Sequence, residues 1–196
     1  MPPANSTMLD LGTACPDFDL PDFGVNGEDG AKRVSCAGVA GKPLVVMFIC
    51  NHCPFVKHIA AELSRLGADA AKDGVTVLAV SSNNIETHPA DAPEKMTEEA
   101  RAQGWSFPYL YDESQEVAKA FSAACTPDFF VFDADLKLAY RGQLDDSRPD
   151  SGIPVTGADL RAAIKAVAHG SSPSGEQKPS IGCGIKWKPD NAPAYA

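Results

Sequence analysis

The sequence predicts a mixed α/β sandwich, a central sheet flanked by helices. Three observations point there. Two apolar runs with β-branched residues, PLVVMFI at 43–49 and VTVLAVS at 75–81, fit strands buried on both faces. Amphipathic helical stretches follow each of them. Later, PDFFVFDADLKLAYRG reads as two strands joined by a tight Asp-Ala-Asp turn. Alternating strands and helices force parallel pairing, and the hairpin adds antiparallel strands at one edge.

The opening LGTACPDFDLPDFGVNGEDG is rich in Pro, Gly and Asp, with Phe18, Leu20 and Phe23 spaced through it, and reads as irregular chain with short strands or a hairpin. After the first strand, Phe55, Ile59, Leu63 and Leu66 recur at helical spacing, with Val56 and Ala60 beside them and Lys57, Glu62 and Arg65 facing out. The second strand leads to a helix over 93–103, with Pro93 in its first turn and Gly104 just past its end. FPYLY at 107–111 is a third strand, followed by a helix from about Glu113 to Phe121. The last helix starts after an N-cap at Thr156 and ends at Gly170. Residues 1–170 therefore read as one domain. Residues 171–180 are a polar linker, and the tail to 196 carries Ile181, Ile185 and Trp187, apolar enough to dock back.

With 196 residues, 44% of them apolar, the chain can bury a real core. A formal charge of -9, with acidic residues scattered, offers no basic face to nucleic acid or anionic lipid, so neither is expected as a partner. The first residues lack a basic and apolar leader pattern, and no stretch is long enough to span a bilayer. The expected location is cytoplasmic. In a reducing compartment six cysteines are packed, catalytic or metal-binding rather than a disulfide scaffold.

Cys50 and Cys53 stand three apart between the first strand and the first long helix. Cys53 falls at the N-cap with Pro54 at the first helical position, where a missing N–H costs nothing. A thiolate there meets unpaired amides and the positive end of the helix dipole, which lowers its pKa below the free value of about 8.5. Cys53 is thus the expected nucleophile. This reading needs its sulfur open to solvent and facing those amides. Cys50 is the nearest candidate resolving thiol. Two other readings stand beside this one: a metal clip built from the two cysteines with His52 and His58, and a pair of inert buried thiols. His52 is also a candidate positive charge beside Cys53. Thr126-Pro127 precedes a strand, as either a cis peptide or a trans proline at the strand's first residue. Cys125 should face away from any site that Thr126 faces. Cys15 and Cys36 read as packing or surface residues, and Arg141 and Asp145 as solvated.

The run VVMFICNHCPFVK resembles the active-site segment of the thioredoxin fold, with Cys53 in the nucleophile's place. GTACPDFDLPD is similar to the N-terminal signature of the redoxin branch, the peroxiredoxins of the alkyl hydroperoxide reductase and thiol-specific antioxidant family. Thr126-Pro127 matches that fold's cis-proline loop. With CTPDFFVFDADLKLAYRGQLDDS and the tail PSIGCGIKWKP, the chain most resembles the peroxiredoxin-like subgroup. The resemblance implies a thioredoxin-like fold with an N-terminal redoxin extension and a C-terminal tail, and a thiol-dependent oxidoreductase without a cofactor. Its implied partners are protein or small-molecule disulfides or peroxides and a thioredoxin-type or low-molecular-weight thiol reductant.

Departures from the pattern divide the activities. Val56 stands where thioredoxins carry their second cysteine. Peroxiredoxins place Thr or Ser three residues before the peroxidatic cysteine and Pro seven before it, where this chain has Cys50 and Val46. Pro127 occupies the place of the arginine that steadies peroxide. Without the hydroxyl and the guanidinium, little stabilises a leaving oxyanion. The sequence therefore favours disulfide exchange, resolved by Cys50 or by Cys183 of the tail, over rapid peroxidase action. A slow thiol peroxidase and a metal-holding or adaptor protein are the alternatives.

Overall fold

The computed structural model describes residues 3–196. In chain order its elements are β1 (Ala4–Asn5), β2 (Asp19–Pro21), β3 (Arg33–Ser35), β4 (Leu44–Phe48), α1 (Pro54–Lys72), β5 (Thr76–Ser81), α2 (Pro93–Gln103), β6 (Tyr109–Tyr111), α3 (Glu116–Ala120), β7 (Cys125–Thr126), β8 (Asp128–Phe132), β9 (Leu138–Gly142), α4 (Ala158–Ala168) and β10 (Ile181–Gly184). The central sheet runs β6-β5-β4-β8-β9. β4, β5 and β6 are parallel, while β8 and β9 join antiparallel beside β4, so the hairpin lies at one edge. It is a thioredoxin-like arrangement.

Period-two alternation splits the core. Val45, Met47, Val77, Ala79, Phe129 and Val131 face α1, α2 and α4. Leu44, Val46, Phe48, Leu78, Val80, Phe130 and Phe132 face α3 and the N-terminal segment. On the second face the Phe121 ring meets those of Phe48, Phe130 and Phe132 with centroids 5.4, 5.5 and 5.9 Å away, all edge-on. A strand covered on both faces has no polar side, which is why β4 reads as unbroken apolar sequence.

Boundaries differ from expectation where local chemistry intervenes. α3 starts three residues late because Gln115 is left-handed, with φ 66. The hairpin loop is 133–137 rather than a three-residue turn, with Asp133 Oδ1 accepting the Asp135 and Lys137 amides and Leu136 left-handed. Gly157, not Thr156, is the α4 N-cap, at φ 67. The capping acceptor comes from outside the helix: Asp145 Oδ2 takes the amides of Thr156 at 2.7 Å and Gly157 at 2.6 Å. Asp145 is thus buried, not solvated, and Arg141 is engaged by Leu9 O and Gln177. α2 matches its expected ends, closed by Gly104 at φ 68.

β10 was not visible as a strand. It lies between β1 and β7, antiparallel to both, with Cys183 opposite Thr126 and Gly184 opposite Cys125. Among the described residues no helix is long and apolar enough to cross a membrane.

Asp128, at the start of β8, is fully buried, and burial pushes its carboxyl up to about 8. A raised carboxyl means that the folded state holds a proton the unfolded state has released. Its contribution to stability is complete below about pH 4 and is lost as pH rises toward 8. Asp128→Asn should therefore flatten the decline in unfolding free energy across that window, by about a few kcal/mol at most, and the fall in melting temperature with it. Parallel thermal melts of the two proteins from pH 4 to 9 measure it.

Candidate active site

β4 delivers the chain to Cys50 and α1 carries it away from Cys53. Cys53 is the N-cap, with extended backbone at φ -67 and ψ 123, and Pro54 follows at N1. The helix is amphipathic, with Val56, Ile59, Ala60, Leu63 and Leu66 buried against the sheet, so its first turn is fixed over the end of β4. Across from it, the Thr126-Pro127 bond is cis and Thr126 reaches both sulfurs. Its Oγ1 is 3.4 Å from Cys50 Sγ, and as a thiol Cys53 donates to its carbonyl oxygen at 3.1 Å. Cys183 reaches the same place from β10, opposite Thr126, where its thiol and that of Cys53 influence each other's ionisation. Three thiols from two distant segments, the β4–α1 loop and β10, therefore meet around Cys53.

Two sequence expectations fail here. Cys50 and Cys53 are both 0% exposed, so the nucleophile's sulfur is not open to solvent. The cover is the tail. Gly182 lies so close over Thr126 that a Cβ there would overlap the Thr126 carbonyl, which is why β10 can lie flat on the site. Second, the helix amides are not what chiefly stabilises a Cys53 thiolate. The Cys53 thiol is lowered to about 5, chiefly by hydrogen bonding from Cys50, with the Cys183 thiol and the Val56 and Cys183 amides adding to it and burial opposing. Helix amides assist, but neighbouring thiols dominate. The counterpart is Cys50, pushed well above the usual thiol range by its bond to Cys53, by burial and by the Asp91 charge. Cys183 is pushed up to about 12, first by burial and then by Cys53. One sulfur of the three holds the charge.

His52 does not lie beside Cys53 as a free positive charge. Its Nδ1 is 2.6 Å from Asp91 Oδ2 and 3.8 Å from Cys50 Sγ, and its ring stacks on His88 at 4.8 Å. Asp91, which the sequence reading missed, also accepts the amides of Asn51 at 2.9 Å and His52 at 3.2 Å, and Asn83 Nδ2 at 2.8 Å. Cys50, His52 and Asp91 hold one ligand atom each within 4.8 Å of one another, a set unlike the Cys50, Cys53 and His combination expected. Four donors already occupy the Asp91 oxygens, so an ion would have to displace them. His58 points elsewhere, its Nε2 2.7 Å from Ser147 Oγ.

Cys125 turns from the site toward Pro127 O, and burial holds its thiol high. On the opposite face of the sheet Cys36 is buried and Cys15 half-buried, with burial first and then Cys36 pushing the Cys15 thiol well up. All six cysteines are free.

A thioredoxin-like fold with a stabilised thiolate at the start of its first long helix defines a thiol-dependent oxidoreductase. The AhpC/TSA family profile matches residues 11–141, about two thirds of the chain. The chain belongs to the AhpC/TSA family. Among solved structures it is 53% identical to an uncharacterized conserved protein of Geobacillus kaustophilus, over 97% of this chain and 98% of that one, with a TM-score of 0.91. A hypothetical protein of Sinorhizobium meliloti is 45% identical, over 94% and 98%, with a TM-score of 0.89. A secreted Mycobacterium tuberculosis disulfide oxidoreductase shares the fold at 19% identity, over 76% and 95%, with a TM-score of 0.59. A comparison with curated proteins found no match.

Proposed function

We propose that the chain is a thiol-disulfide oxidoreductase with Cys53 as nucleophile. The observation that carries this reading is the meeting of three thiols, of which one is favoured as thiolate. The Cys53 thiolate attacks one sulfur of a disulfide, forming a mixed disulfide and expelling the other sulfur as a thiolate. A second cysteine then loses its proton and attacks Cys53 Sγ, releasing the remaining half as a thiolate and closing an internal disulfide. An external thioredoxin-type or low-molecular-weight thiol returns the two electrons. Cys50 is the first choice for the second thiol, because it is three residues away on the same loop and its ionisation is the one most affected by Cys53. Cys183 is the second choice, from the strand above.

The family also supports a slow peroxidase, an antioxidant reading in which Cys53 displaces an alcohol or water from a peroxide and becomes a sulfenic acid. Around Cys53 the Cys50 thiol is a weak donor and Thr126 presents a carbonyl oxygen, where a guanidinium would be stronger, so disulfide exchange stands ahead of it. A metal-holding role through Cys50 and His52 would show as bound zinc near one per chain in protein purified without added metal. A cytoplasmic location, where six thiols would stay reduced, belongs to the same proposal.

Trapping tests the assignment. Wild type, Cys50→Ser and Cys183→Ser are each mixed with a small disulfide and quenched with acid. Cys50→Ser should retain the mixed disulfide on Cys53 about a hundredfold longer than wild type, on the scale of losing an intramolecular partner. A long-lived adduct in Cys183→Ser alone would transfer the role to the tail. Unchanged lifetimes in both would remove both assignments.

A further inference from the structure

We propose that Asp91 is the positioning residue of the thiol site, its buried carboxylate holding the turn between Cys50 and Cys53 and placing a fixed negative charge beside Cys50. The proposal rests on the thiol-disulfide reading above.

Asp91 ends a short turn, 89–91, that begins with Pro89 and has no part in the sheet. Its side chain is 0% exposed, and among the described residues its only ionic partner is His52. A buried carboxylate without Lys or Arg is costly unless its lone pairs are met. Here they are met by the loop that carries the cysteines. Oδ1 takes the amides of Asn51 and His52, the two residues between the sulfurs, and Oδ2 takes His52 Nδ1 and Asn83 Nδ2. Three N–H donors and the His52 ring nitrogen thus surround its two oxygens. Asn51 is fixed further, by its own bond to Ala90 O and by the hydroxyl of Tyr109. The turn cannot move without breaking several of these bonds together.

The charge is placed unequally. Cys50 Sγ lies within 4.8 Å of the Asp91 carboxylate, whereas Cys53 Sγ is turned toward Thr126 O. Asp91 therefore disfavours ionisation of Cys50 and keeps it the donor toward Cys53. The other titratable and charged groups around the pair are His52 on the loop, His88 stacked on it, Tyr109 from β6, Cys53, and Cys183 and Lys186 from the tail. None of them is a second carboxylate.

The test is a thiolate titration by ultraviolet absorbance on wild type and Asp91→Asn, each with and without Cys50→Ser to assign the Cys50 step. Asn keeps an acceptor for the two amides and removes the charge. The Cys50 step should move down by about one pH unit or more in Asp91→Asn. A Cys50 step left in place in a folded Asp91→Asn protein overturns the proposal. Should Asp91→Asn not fold, hydrogen exchange on wild type decides: protected Asn51 and His52 amides support the clamp, and rapid exchange of both overturns it. Failure of the underlying reading looks different, since wild type would then form no mixed disulfide on Cys53 while this titration would still shift.

Discussion

Cys53→Ser should reduce disulfide exchange by a thousandfold or more, on the order seen when a covalent nucleophile is removed. The remaining five thiols should not compensate. Three of the others, Cys15, Cys50 and Cys125, are held well above the ordinary thiol range, and Cys183 is pushed up to about 12. The pH profile of wild type carries more information than its rate at neutrality. Lowering a thiol from about 8.5 to about 5 raises the thiolate fraction at pH 7 roughly 30-fold. Intrinsic nucleophilicity falls with basicity, by about 25- to 55-fold over that span. The two effects nearly cancel at neutral pH. The gain lies elsewhere: exchange should persist with little loss down to about pH 6 and fall only as Cys53 gains its proton near 5. The stabilised thiolate also favours the reduced form, so a disulfide between Cys50 and Cys53 would be the more oxidising. Stopped-flow exchange with a small disulfide from pH 4 to 8, on wild type and Cys53→Ser, measures both expectations.

Gly182→Ala should uncover the site. A Cβ at this position overlaps the Thr126 carbonyl oxygen, a backbone atom that no side-chain rotation can move aside. Overpacking of this kind typically costs about 1–3 kcal/mol. If that cost falls on the covered conformation, the uncovered one becomes about 5- to 150-fold more populated. Alkylation of Cys53, traced by mass spectrometry of its peptide, should accelerate within that range. Gly184 supplies the control. A Cβ there would have its nearest neighbour, Ala4 Cβ, at 3.9 Å, so Gly184→Ala should leave the rate unchanged. A Gly182→Ala protein that melts earlier yet alkylates at the wild-type rate would show that β10 does not gate Cys53.

Much of the fold was legible because its signals are local. The unbroken apolar sequence of β4, the proline at N1 of α1 and the glycine closing α2 each act within a few residues. The placement of Cys53 at a helix start could be read in the same way. What could not be read is long-range. β10 has the sequence IGCG, with no alternation to mark a strand, and is held by pairing with two-residue partners far from it in sequence, at 4–5 and 125–126. The tail was expected to dock through Ile181, Ile185 and Trp187, yet one of its glycines is what permits the close cover. Asp91 gave no signal, because a lone acid after proline in a loop is usually solvated. A search for acids flanked by small residues between two strand ends could have flagged it. Asp145 misled for the same reason, its partners at 156 and 157 being unforeseeable from its neighbours. The cause of the Cys53 ionisation was misassigned because helix amides are visible in sequence, whereas the orientation of the Cys50 thiol toward Cys53 is not.

All of this depends on Cys53 holding a negative charge near neutrality beneath the tail strand. Thiolate ultraviolet absorbance, followed against pH in wild type and in Cys53→Ser, tests that most directly, since light needs no access to a covered sulfur. The account predicts a step near pH 5 in wild type that is missing from the variant. A wild-type protein with no thiolate step below about pH 8, the range of a free cysteine, would contradict it.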